Sequence, residues 1–101
     1  MGPEKRLDQA VERWRVKYLP GVLSIKLSTL GMYGTSGWPD RMYLGRAAGK
    51  PYVLFIEWKA GDNEPTAKQA YCHGLLRALG FRVEVIKDAG IGKAVLGGTF
   101  T

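Results

Sequence analysis

Gly37-Trp38-Pro39-Asp40-Arg41-Met42-Tyr43-Leu44, followed after a glycine-rich gap by Tyr52-Val53-Leu54-Phe55-Ile56-Glu57-Trp58-Lys59, is the stretch that decides the fold. Pro51 to Ile56 is an apolar run rich in β-branched and aromatic residues, bounded by Gly45, Gly49 and Pro51 before it and Gly61 after it. Such a run predicts a buried central strand. Arg41 to Leu44 predicts a second strand, pairing with Tyr52 to Lys59 as a hairpin. Side chains alternate along a strand, so Glu57 and Lys59 share a face and Trp58 takes the other, its carbonyl lying between them as a further oxygen ligand. Two charged groups at the end of a buried strand need a partner, because an unpaired buried charge costs several kcal/mol. If the strand emerges into water there, the pair is instead a surface salt bridge worth about 0 to 1 kcal/mol. Asp40, after a turn-like Gly37-Trp38-Pro39, weighs against that bland reading. With Glu57 and Lys59 it assembles two carboxylates and an amine, the set a metal-dependent phosphodiesterase requires.

Upstream, Pro3 to Leu19 predicts a helix, with Pro3 in its first turn and an apolar stripe of Leu7, Val11, Trp14 and Tyr18 ended by Pro20-Gly21. Glu4 falls near the edge of that stripe. It is either an inward-facing carboxylate or a first-turn acid complementing the helix dipole. Glu12 is expected on the solvated face. Arg6, Arg13, Arg15 and Lys17 also lie off the stripe, as a solvated face or a track for phosphates. Val22 to Leu30 predicts a half-buried strand with Leu23, Ile25 and Leu27 inward and Ser24, Lys26 and Ser28 outward. Gly31 to Gly37 reads as a loop. Its Gly-x-x-Gly spacing is not a nucleic-acid clamp of the KH type, since it joins strands rather than helices.

Downstream, a helix is expected from about Thr66 to Leu79, with Pro65 at its start, Gly80 as its stop, and Ala67, Tyr71, Leu75 and Ala78 facing the core. Gln69 then lies nearly opposite the core. It is either a site residue or half of a Thr66-x-x-Gln69 capping box. His73 is read as an exposed bystander and Cys72 as a packing residue. Phe81 to Ile86 predicts a strand beside the central one, and the apolar residues of the tail from Lys87 to Thr101 either finish the core or form a subunit interface.

Pro39-Asp40, then Glu57-Trp58-Lys59, then Gln69 in the following helix resembles the PD-(D/E)XK nuclease superfamily, and specifically its VRR-NUC (virus-type replication-repair nuclease) family. The similarity runs from Glu4 to about Ile86. It implies an α/β restriction-endonuclease-like core, a central mixed β-sheet flanked by helices in the order αβββαβ, within a single domain spanning residues 1–101. It also implies catalytic roles for Asp40, Glu57, Lys59 and Gln69, and a Mg²⁺ or Mn²⁺ ion held by Asp40, Glu57, the Trp58 carbonyl and, as the acidic residue of the first helix, Glu4. Stand-alone short members of that family resemble Holliday-junction resolvases, and the chain has that short form, so the resemblance implies branched DNA as substrate and a homodimer. The alternatives are a restriction-like or single-strand endonuclease with the same site, or a basic nucleic-acid-binding module without catalysis.

Composition agrees with these expectations. With 46% hydrophobic and 11% aromatic residues in 101, the chain has material for one modest core. Fifteen Lys and Arg against 9 Asp and Glu give +6, which favours a polyanionic partner. The single cysteine excludes an intramolecular disulfide framework and a cysteine-based zinc site. No leader pattern or membrane-length apolar run is present, so a cytoplasmic protein is expected.

Overall fold

The computed structural model describes residues 2–27 and 37–101. The readings of Ser28 and of the glycine loop up to Ser36 fall outside them. Helix α1 (Pro3–Tyr18) leads to strand β1 (Leu23–Lys26), the hairpin β2 (Arg41–Ala47) and β3 (Lys50–Trp58), helix α2 (Ala67–Ala78), strand β4 (Arg82–Ile86) and helix α3 (Ala89–Thr99). The expected order αβββαβ is found, with α3 added. The sheet is mixed and runs β1-β2-β3-β4, antiparallel except for the parallel pair β3–β4. No helix among the described residues is long and apolar enough to cross a membrane.

The hairpin is set by its turn. Ala47 pairs with Lys50, leaving Ala48 and Gly49 as a two-residue connection, both with positive φ (51° and 78°). That is the type I′ geometry whose twist matches the strands it joins. Its register places Arg41 opposite Ile56, so Asp40, one step earlier, arrives beside Glu57.

Each face of the sheet carries its own apolar cluster. On one, Val11 of α1 and Leu96 of α3 close over Tyr43, Leu54, Ile56 and Trp58, with Ile86 and Phe100 buried in the same cluster. The apolar tail therefore completes the core. Phe100 lies so close that a Cβ on Gly45 would come within 2.7 Å of its ring. On the other face, Cys72 and Leu76 of α2 meet Leu27, Phe55 and Val83.

Several expectations need correction. Leu27 is buried as expected, but Leu23 and Ile25 are exposed, because the pairing of Ile25 with Met42 and Leu23 with Leu44 directs them to the α2 face, where α2 packs against β4 and not against β1. Tyr18 is exposed too. The inward face of α2 is Gln69, Cys72, His73 and Leu76, an i, i+3, i+4, i+7 set, while Tyr71 and Leu75 face solvent. Apolar periodicity misreads this helix because half of its inward face is polar. Thr66 is its N-cap, so Pro65 precedes the helix rather than opening it. Trp38 is exposed on one side and meets Phe55 in an edge-to-face pair.

Candidate functional site

The end of β3 gathers the charged residues of the sequence motif. Asp40 and Glu57 lie within hydrogen-bonding reach of one another, and Lys59 is close enough to act on Glu57 electrostatically, as is Glu4 more weakly. Asp40 is pinned by its own strand neighbour, Oδ2 accepting the Trp58 N–H at 2.7 Å. Glu4 reaches the same corner from α1, its Oε2 accepting the Ala60 N–H at 3.3 Å. Glu57 is 2% exposed and Lys59 is buried beside it. Burial, followed by the negative charge of Asp40, pushes the Glu57 carboxyl up to about 8.

Gln69 fills both roles the sequence leaves open. Its Oε1 accepts the Thr66 N–H at 2.9 Å while Thr66 Oγ1 accepts the Gln69 N–H at 3.2 Å, which completes the capping box. The free end of the same amide, Nε2, donates to Glu57 Oε2 at 3.4 Å. His73 is no bystander. It is 1% exposed, and its Nε2 lies 3.4 Å from Glu57 Oε1. Neither of those two atoms has a hydrogen-bond partner among the described residues. Burial lowers the affinity of the His73 ring for a proton, as does the nearby Arg77.

On the opposite face of β3 lies a network the sequence reading missed. Asp8 takes Arg41 in a bidentate pair, Nε to Oδ1 and Nη2 to Oδ2 at 2.8 Å each, and Oδ1 also accepts the Trp58 indole N–H at 2.8 Å. Arg41 Nη1 donates to Ser24 Oγ at 2.6 Å and stands 3.7 Å from Glu12. Glu12, expected in solvent, also holds Arg15 through two 3.0 Å contacts, and Arg15 donates to the Val22 carbonyl. Arg15 is thus committed within the fold rather than to a solvated face or phosphates. The available signal is the acidic row Glu4, Asp8, Glu12, four residues apart on one helix and thus on one face. Between this network and the motif residues opens a cavity of about 220 Å³, lined by Glu4, Lys5, Asp8, Lys26, Asp40 and Trp58.

A hard divalent cation fits this corner. Two neighbouring carboxylates disfavour ionising together, a cost that a shared proton or a cation relieves, and Glu57 keeps one oxygen without a hydrogen bond among the described residues. Among the described residues, no group of three or more Asp, Glu, His or Cys side chains is placed to hold a metal ion, so Glu4 as it stands does not join Asp40 and Glu57 in a three-carboxylate set. Mg²⁺ does not need one, since it is commonly held by one or two carboxylates and keeps several waters.

Solved structures share this architecture. The chain is similar to one described as "VRR_NUC domain", with a TM-score of 0.74 and 21% identity over 96% of this chain and 97% of that one. It is likewise similar to a "VRR_NUC domain protein", with a TM-score of 0.71 and 21% identity over 100% of this chain and 94% of that one. No protein-family model matches the sequence, and no curated protein matches it.

Proposed function

We propose, taking the VRR_NUC-like fold as premise, that this chain is a divalent-cation-dependent endonuclease that hydrolyses phosphodiester bonds in branched DNA such as a Holliday junction. The observation that carries the reading is the meeting of Asp40 and Glu57 at the end of β3, close enough that burial and Asp40 hold the Glu57 carboxyl up near 8. A fold stabilised for its own sake gains nothing from that contact. In this reading Asp40, Glu57, the Trp58 carbonyl and Glu4 would hold Mg²⁺ or Mn²⁺. Such an ion would supply Lewis acidity toward the phosphodiester and lower the pKa of a bound water. Lys59 orients the nucleophile and offsets negative charge developing on the phosphate, and Gln69 assists from the Glu57 side. The excess of cations, +6 overall, supports a nucleic-acid partner. A homodimer suits symmetric cutting of a junction, and the exposed apolar side chains of Leu75, Leu79 and Phe81 support pairing of copies.

The test is a cleavage panel of duplex, single strand, flap and four-way junction in Mg²⁺ and in Mn²⁺, with Asp40→Ala alongside. The four-way junction should be cut by the wild type. Asp40→Ala should lose cleavage by at least about 100-fold while binding DNA as well or better, since a negative charge near phosphate has gone. Preferential cutting of single strand or linear duplex would favour a different endonuclease with this site. Binding without cleavage in either metal would leave a basic nucleic-acid-binding module and end the nuclease reading.

A further inference from the structure

The inward face of α2 carries two polar residues where apolar ones would pack against Phe55 and Val83. Gln69 and His73, one turn apart, both reach Glu57, the first at Oε2 and the second at Oε1, each at 3.4 Å. His73 is buried between Cys72 and Leu76 of the apolar cluster and has no hydrogen-bond partner for Nε2 among the described residues. The pair stops short of a formed hydrogen bond, and the terminal torsion of a glutamate is soft enough for a small turn of the carboxylate to close it.

We infer that His73 is a positioning residue for the proposed cation site: its Nε2 lies 3.4 Å from Glu57 Oε1, within a small carboxylate turn of a hydrogen bond, while Gln69 holds Oε2, so that α2 orients both oxygens of one carboxylate. The inference rests on the proposed nuclease reading, which gives Glu57 a cation to hold. Its physical content lies in the kind of donor used. An amide and a neutral imidazole turn a carboxylate without cancelling its charge, whereas an Arg or Lys in the same place would compete with the cation. A donor held in this way typically changes metal affinity by about 10- to 100-fold when it is removed.

Mn²⁺ binding to the nucleic-acid-free full chain, followed by electron paramagnetic resonance, tests this directly. His73→Gln keeps an N–H near the Nε2 position and should bind Mn²⁺ as wild type does; His73→Phe fills the space without a donor and should bind about 10- to 100-fold more weakly. A folded His73→Phe protein with wild-type affinity overturns the inference. Should His73→Phe fail to fold, the pair His73→Gln and His73→Asn decides, because Asn places its amide near Nδ1 instead: equal affinities overturn the inference, and a selective loss in His73→Asn supports it. Nitrogen NMR of the ring gives a second readout, with the Nε2–H tautomer expected and the Nδ1–H tautomer sufficient to reject the role. If the wild type and Glu57→Gln bind Mn²⁺ equally, the cation reading itself fails and this role falls with it.

Discussion

On the α1 face of the sheet, Asp8 meets the full charge of Arg41 through two 2.8 Å contacts and a third from the Trp58 indole; on the α2 face, Glu57 meets the neutral Gln69 amide and the neutral His73 ring. The two carboxylates lie on opposite faces of the same few residues of β3, and both are buried. Their surroundings differ in what they leave over. Asp8 is matched in charge and in hydrogen bonds, and the polar atom remaining unpaired in its neighbourhood is the uncharged Tyr43 hydroxyl. Glu57 has the like charge of Asp40 beside it, which Lys59 offsets only in part, and one oxygen without a hydrogen bond among the described residues. A buried charge that is matched holds a structure together. One that is offset only in part, next to another of the same sign, is a place for a cation.

The largest effect expected from breaking this contrast is on the matched side. Asp8→Ala strands Arg41 and the Trp58 indole in the core, and removing one partner of a buried pair typically destabilises by about 3–5 kcal/mol. That is a large fraction of the roughly 5–15 kcal/mol that holds a domain folded. Urea or thermal denaturation measures it. A loss below about 1 kcal/mol would place the pair among surface ion pairs and remove the contrast.

On the unmatched side the sign reverses. Because the Glu57 carboxyl is raised from 4.5 to about 8, the native state binds more protons than the unfolded chain between those values, so stability is full below about 4.5 and is lost as pH rises toward 8. His73 acts oppositely: its proton affinity is lowered from the ordinary 6.5, so its contribution is present above 6.5 and lost as pH falls below it. The window from 6.5 to about 8 therefore reports on Glu57 without His73. In metal-free protein, the Tm should fall across that window, Glu57→Gln should abolish the slope and raise the Tm at pH 8 by several degrees, about 4–8 °C for each kcal/mol in a chain of this size. The same variant should lose cleavage. A wild-type Tm that rises from pH 6.5 to 8 would show that Glu57 ionises without penalty.

How much of this was legible in the sequence follows from the same contrast. The hairpin could be read because Gly49 and the apolar run from Pro51 to Ile56 act locally, and Asp40, Glu57 and Lys59 could be placed because the strand period carries them. The helical faces could not be read from apolar spacing alone. Both α1 and α2 turn polar side chains inward, Asp8 and Glu12 in one and Gln69 and His73 in the other; the apolar stripe places α1 correctly at Leu7, Val11 and Trp14 but misses its polar flank, and it rotates α2 away from its true contact. Long-range pairing supplies what is missing: Asp8 needs Arg41, 33 residues later, and His73 needs Glu57, on another element. Strand β1 differs for another long-range reason: its alternation holds, with Leu27 buried, but α2 packs against β4 and leaves Leu23 and Ile25 uncovered.

The smallest expected effect lies outside both faces and separates chemistry from stability. Ala48 sits in the left-handed region at φ 51°, in a turn whose other central residue is Gly49. A residue with a Cβ is disfavoured there by about 1–2 kcal/mol, and asparagine tolerates the conformation better because its short amide can bond locally. Ala48→Asn should therefore raise stability by up to about 1 kcal/mol, a gain of a few degrees in Tm. It touches neither Asp8 nor Glu57. If cleavage depends on the unmatched carboxylate rather than on the rigidity of the sheet as a whole, Ala48→Asn leaves the rate and the slope between pH 6.5 and 8 as they are in wild type. A rate that climbs with the Tm of this variant would mean that activity follows global stability, and the distinction between the two faces would lose its functional meaning.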